Sequence, residues 1–182
     1  MDMCMEKTNW EKCVDFHGHS CPGLAIGYRV AETALEQLRA MRDEDEELVA
    51  IVENDACGVD AIMFLTGCTL GKGNLIYRDY GKQVYTLGSR NSKKALRLAI
   101  KDGAWRGQED LSREERMAKI LEMPAEDLLN VQTVDMELPP KAKIFRSVQC
   151  AQCGENVMEA RARVKDGKFA CIPCAGEYSR GW

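Results

Sequence analysis

FHGHSCPGLAIGYR, residues 16–29, places the chain's only two histidines, His17 and His19, one residue apart and sets Cys21 and Pro22 directly after them. Pro22 suits the first turn of a helix, and Leu24, Tyr28, Ala31, Leu35 and Leu38 recur at three- and four-residue spacing, so "PGLAIGYRVAETALEQLRAM" predicts a long amphipathic helix. The residues before it read as an extended segment. There His17, His19 and Cys21 project from one face, because side chains at i, i+2 and i+4 share a side of an extended chain. Two imidazoles and a thiolate are ligands for Zn²⁺ or another borderline transition ion. Cys21 falls near the helix N-cap, where the positive end of the dipole favours thiolate over thiol. The competing reading is that these three side chains cap and pack a loop.

Outward from this stretch, "ELVAIVEN" reads as a buried strand, "GVDAIMFLTG" as a short helix stopped by Gly67, and "NLIYRD" with "KQVYTLG" as two strands around a turn at Tyr80 and Gly81. "SKKALRLAIK" and "SREERMAKILEM" are predicted helices, the second with Ser112 as N-cap and Glu115 as its capping-box partner. The acidic "RDEDEE" reads as a solvated connection. The fold class is therefore α+β: a mixed helix and strand core domain over residues 1–140 and a small Cys₄ finger over 141–182, joined at "ELPPKAK".

Chain length and composition agree with this division. At 182 residues and 45% apolar content the chain can fill one ordinary core plus an appendage. Nine cysteines with no export signal place it in a reducing compartment, and the longest strongly apolar run, "AIMFL", is far too short to span a bilayer. A cytoplasmic protein is expected. Residues 1–140 carry 17 basic against 25 acidic side chains, residues 141–182 eight against four. A tail this mildly basic gives little reason to expect nucleic acid as a partner.

The tail holds the strongest local signal. Cys150 and Cys153, then seventeen residues, then Cys171 and Cys174 form two CxxC pairs at the separation of a tetrahedral Cys₄ zinc site. Asp166-Gly167 between them is a favoured hairpin dipeptide. With four ligands supplied by the chain the zinc is structural, and metal binding must supply most of the folding free energy of so small a unit.

Cys57 follows a strand and opens a helix, a common location for functional groups, so it is either a fourth member of the histidine and cysteine site or a core thiol. Cys68 lies eleven residues on, about 16 Å away along a straight helix, whereas ligands of one ion lie about 3 to 4 Å apart. Those two cysteines should not share an ion. Asp60 either orients a ligand from behind or caps the helix. "TGCTLGKGN" departs from a P-loop at two positions, with three residues between Gly67 and Gly71 and Gly73 after Lys72, which excludes nucleotide hydrolysis. Lys72 is then a surface lysine or a counter-charge for an anionic substrate. Cys4 reads as an N-terminal surface thiol and Cys13 as a helix-packing residue.

"FHGHSCPGLAIGYR", "CGVDAIMFLTGCTLGKGNL" and "YGKQVYTL", together with the C-terminal Cys₄ finger, resemble the FmdE family, named for one of the subunits of the molybdenum or tungsten formylmethanofuran dehydrogenase. The resemblance implies an α+β core, a finger of the treble-clef or ribbon type, and homodimers. It also implies that the His/Cys cleft is the functional site, with His17, His19, Cys21, Cys57 and Cys68 as its residues. The expected function is an accessory protein or subunit serving molybdenum or tungsten formylmethanofuran or formate chemistry, with the dehydrogenase subunits as partners, structural zinc in the finger and a second transition metal in the core. His17 and His19 would be ligands or proton carriers, and Cys21 and Cys57 ligands or nucleophiles. Two other classes stay open: a stand-alone metal-dependent or thiol-redox enzyme, and a zinc-finger regulator of nucleic acid. The sequence leaves open whether the chain is an enzyme on its own.

Overall fold

The computed structural model describes residues 6–104 and 110–176, which separate into two units, Met1–Ala142 and Lys143–Trp182. Cys4 lies outside the described residues.

In the first unit, helix α1 (Asn9–His17) starts at a capping box between Thr8 and Glu11 and stops at Gly18, whose left-handed φ of 93° turns the chain sharply. Helix α2 (Pro22–Leu38) follows, with Leu24, Ala31 and Ala34 among its fully buried positions. Strand β1 (Leu48–Val52) is buried along its whole length, as an apolar run without alternation requires. Helix α3 (Gly58–Thr66) then crosses over to β2 (Leu75–Tyr77), which pairs with β1 in parallel. Strands β3 (Val84–Ser89), β4 (Lys94–Ile100) and β5 (Leu129–Val134) complete a five-stranded sheet in the order β2-β1-β3-β4-β5, antiparallel from β1 onward. Helix α4 (Arg113–Glu122) carries the expected Ser112 and Glu115 capping box and is followed by one short turn, α5 (Ala125–Leu128). Leu24, Leu48, Ile62, Tyr85, Leu98 and Ile120 are fully buried between helices and sheet.

Four expectations change. The run Ser92–Lys101, predicted as a helix, contains strand β4, hydrogen-bonded to β3 on one side and β5 on the other. A helix there would leave one edge of β3 without partners for its backbone groups, and Leu96 and Leu98 fit an alternating pattern as well as a helical one. The strands around Tyr80 and Gly81 form no hairpin with each other, since both pair with β1. "RDEDEE" is not wholly solvated: Asp43 is 2% exposed and accepts from the Leu48 N–H at 2.8 Å, from Asn74 Nδ2 at 2.8 Å and from Lys72. Lys72 is therefore the counter-charge of a buried aspartate. "ELPPKAK" is no free tether throughout, because a Cβ at Gly88 would lie 2.2 Å from Leu138 and one at Gly73 3.0 Å from Ala142.

The second unit consists of two short hairpins, β6 (Ser147–Gln149) with β7 (Asn156–Met158) and β8 (Arg163–Lys165) with β9 (Lys168–Ala170), then a single helical turn, α6 (Ile172–Ala175). Asp166 and Gly167 both adopt positive φ, 51° and 74°, as the two-residue turn between β8 and β9 demands.

Candidate metal centre

Three helix ends meet at the first cluster. His17 closes α1, Cys21 is the N-cap of α2, and Cys57 is the N-cap residue of α3. Their approach is set by glycine. A Cβ at Gly27 would stand 2.1 Å from the Gly58 carbonyl oxygen, and one at Gly58 2.6 Å from the Tyr85 hydroxyl, so α2 and α3 touch backbone to backbone. A Cβ at Gly23 would lie 3.9 Å from the Cys21 Sγ and 4.0 Å from the Cys57 Sγ. Phe16 stacks on Phe64 with centroids 5.8 Å apart and holds the end of α1 against α3.

As a result, one ligand atom each from His17, His19, Cys21 and Cys57 lie within 4.8 Å of one another. The backbone that achieves this is not the extended segment predicted from sequence. His17 is helical, Gly18 reverses the chain, and Cys21, at φ −157° and ψ 159°, starts the next helix. His17 and His19 converge because of that left-handed turn, and their ring centroids are 4.5 Å apart.

The hydrogen bonds around the cluster orient it. His17 Nδ1 lies 2.7 Å from Asp60 Oδ2; a carboxylate only accepts, so Nδ1 carries a proton, and in the neutral ring Nε2 presents its lone pair. That Nε2 is buried with no hydrogen-bond partner. Asp60 therefore fixes the His17 ring and caps no helix by its side chain. Cys21 Sγ accepts from the Leu24 N–H at 3.3 Å, which places a first-turn donor on the sulfur. Burial, and then the neighbouring Cys21, push the Cys57 thiol up from its ordinary pKa. The segment that carries Cys57 is fixed by Asn54, whose Oδ1 accepts from the Ala56 N–H at 3.1 Å and whose Nδ2 donates to the Lys82 carbonyl at 2.7 Å.

These residues fit a transition ion. A buried imidazole nitrogen without a partner and two crowded thiols are each relieved by a cation, which takes the lone pair and deprotonates the sulfurs. Cys68 is not brought to the cluster. It lies beyond the opposite end of α3, fully buried, with burial pushing its thiol to about 11. Cys13 is likewise buried in α1, its thiol pushed up to about 11 by burial and then by Asp60.

Sequence reasoning did not find Gly23, Gly27 and Gly58, nor the cavity of about 450 Å³ that opens beside His17, Cys57 and Asp60 and reaches Asp55 and Tyr77. Its location at the carboxyl ends of the parallel strands β1 and β2 is where open α/β sheets take ligands, a signal that needs the pairing of β2 to be read.

In the finger, single ligand atoms of Cys150, Cys153, Cys171 and Cys174 also lie within 4.8 Å of one another. Backbone N–H groups of Cys153, Cys171 and Gln152 lower the Cys150 thiol to about 6, the Cys171 N–H reaching its Sγ at 3.3 Å. Without a cation the cysteines oppose one another's ionisation, and Cys174 is pushed up to about 12 chiefly by Cys171 and Cys153. Four sulfurs, one already stabilised as thiolate by three amides, fit a structural zinc.

Two family models match the chain. The family model FmdE, described as molybdenum formylmethanofuran dehydrogenase operon, matches residues 16–130, and the prokaryotic dksA/traR C4-type zinc finger matches residues 143–180. The crystal structure of a protein from Syntrophus aciditrophicus, described as like the FmdE component of tungsten formylmethanofuran dehydrogenase, superposes with a TM-score of 0.70 at 25% identity, covering 91% of this chain and 89% of that one. A probable S-adenosyl-L-methionine-binding protein of Archaeoglobus fulgidus is 35% identical over 90% of this chain; the chain spans about half, 51%, of that relative's length. Among the described residues no helix is long and apolar enough to cross a membrane.

Proposed function

This chain belongs to the FmdE family, and on that footing we propose that it is an accessory subunit for molybdenum or tungsten formylmethanofuran dehydrogenase chemistry. In this reading it holds a transition ion in its core at His17, His19, Cys21 and Cys57, and docks through its zinc finger. The observation that carries the metal site is the buried, unpartnered Nε2 of His17, on a ring whose other nitrogen is fixed by the Asp60 carboxylate. Such a carboxylate and histidine pair raises the basicity of a ligating nitrogen and fixes its direction. A bound ion would supply Lewis acidity to a group entering from the adjoining cavity. His17 and Cys57 line that cavity, so such a group would approach the ion from their side. Cys21 and Cys57, which are less accessible than the exposed His19, would hold the ion throughout.

Metal counting on purified protein tests this. Two metals per chain are expected, falling to one in His17→Ala and Cys21→Ser with the finger's zinc retained; one metal in the unaltered protein contradicts the core site. Co-purification with the molybdenum or tungsten dehydrogenase subunits tests the partnership, and sedimentation of the isolated chain tests the homodimer. Salt-sensitive retention on DNA would instead favour the regulator.

A further inference from the structure

The cavity beside the core cluster is of ligand size, about 450 Å³. His17, Cys57 and Asp60 line it, and Val59, Met63 and Leu70 give it apolar walls. Tyr77 stands at its side, 43% exposed, and Asp55 at its rim. Among the described residues lining it there is no lysine or arginine.

Its charge is one-sided. Asp60, which accepts from His17, and Asp55 are the acidic side chains that line it. A divalent ion among two thiolates and two neutral imidazoles carries no net charge to offset them. Burial, then a hydrogen bond to Asp79, then the charge of Asp55 push the Tyr77 phenol up; Asp79 itself does not line the cavity. Against apolar walls such charges are less screened than on open surface. An anion entering here meets carboxylates without a counter-cation. A cation meets Asp55 and the aromatic ring of Tyr77, a pairing that binds ammonium and sulfonium groups.

We infer that this cavity is the substrate chamber of the core centre and admits a small organic cation, an ammonium or sulfonium group on an apolar or aromatic stem, oriented by Asp55 and Tyr77. The inference rests on the core metal reading above. Asp55 and Tyr77 would hold the charged end, and Val59, Met63 and Leu70 the stem, so that a group on the stem faces Cys57 and the metal position.

Three probes of one shape decide it: benzylamine, benzyl alcohol and benzoate, titrated into full-length protein whose metal content has first been counted, with backbone amide NMR shifts as readout. Benzylamine is expected to move the amides of residues 54–60 and 75–77 and to bind about tenfold more tightly than benzyl alcohol, with benzoate weakest. Asp55→Asn is not one of the four ligands and should keep both metals while losing most of that preference. Tyr77→Leu, which retains an apolar wall, should weaken benzylamine more than benzyl alcohol. Benzoate binding as tightly as benzylamine, equal binding of amine and alcohol, or shifts confined to other residues overturns the chamber while leaving a two-metal protein intact. A count of one metal overturns both the centre and the chamber built on it.

Discussion

The two four-residue clusters rest on different foundations. In the first unit the four side chains sit at or between the ends of three helices whose positions are set by a sheet, by fully buried side chains and by the backbone contact of Gly27 with Gly58. In the finger the strands are three residues long, and among the described residues only Cys150 and Ala170 are buried apolar positions. The core cluster is thus preformed by packing, while the finger's cluster supplies the folding energy itself. The same number of ligands has opposite consequences for stability, and the difference can be broken or sharpened experimentally.

The largest expected effect is on the finger. Chelation, or Cys171→Ser, should unfold residues 143–176 and expose them to protease, because metal binding to such sites supplies about 10 to 16 kcal/mol. The core should keep its cooperative unfolding transition; loss of both together would remove the contrast. Next comes Gly27→Ala, where the new methyl group meets a carbonyl oxygen at 2.1 Å. It should cost the core about 3 kcal/mol in urea denaturation, since neither helix can withdraw without opening the core. The finger's zinc should be retained. Asp60→Asn should weaken the core metal by about 10- to 100-fold in competition with a chelator, and leave the finger's affinity unchanged.

The smallest effect concerns pH. Burial alone would push the Asp43 carboxyl up, yet the Leu48 N–H, Lys72 and the Glu46 N–H outweigh it and hold it below its ordinary 3.8. A lowered folded value means that this carboxylate's contribution is present above pH 3.8 and lost as pH falls below it. Asp43→Asn should therefore cost the core about 1 to 2 kcal/mol at neutral pH and flatten the acid limb of its stability curve.

Local signals survived the passage from sequence to structure, and non-local ones did not. The Ser112 and Glu115 box and the Gly67 stop lie within a few residues of the backbone groups they satisfy, so their sequence is enough. The four finger cysteines are legible for the same reason. Ser92–Lys101 failed because the bare edge of β3, which decides its conformation, is invisible in its own ten residues. Convergence of His17, His19 and Cys21 was legible from their spacing, but its cause was misassigned, since Thr8 and Glu11 start a helix that carries Phe16 and His17. Asp43 looked like one charge among six and is the buried hub of a loop. Gly27 and Gly58 carry no local mark of their contact, and without it neither the meeting of the helix ends nor the cavity beside them could be placed.

Zinc-edge X-ray absorption of the zinc-loaded full-length chain tests the core metal site most directly, because the two clusters differ in ligand type. A finger of four sulfurs together with a core centre of two sulfurs and two nitrogens predicts an average of three sulfurs and one imidazole nitrogen per zinc. A first shell of four sulfurs, with no imidazole scattering, would contradict it.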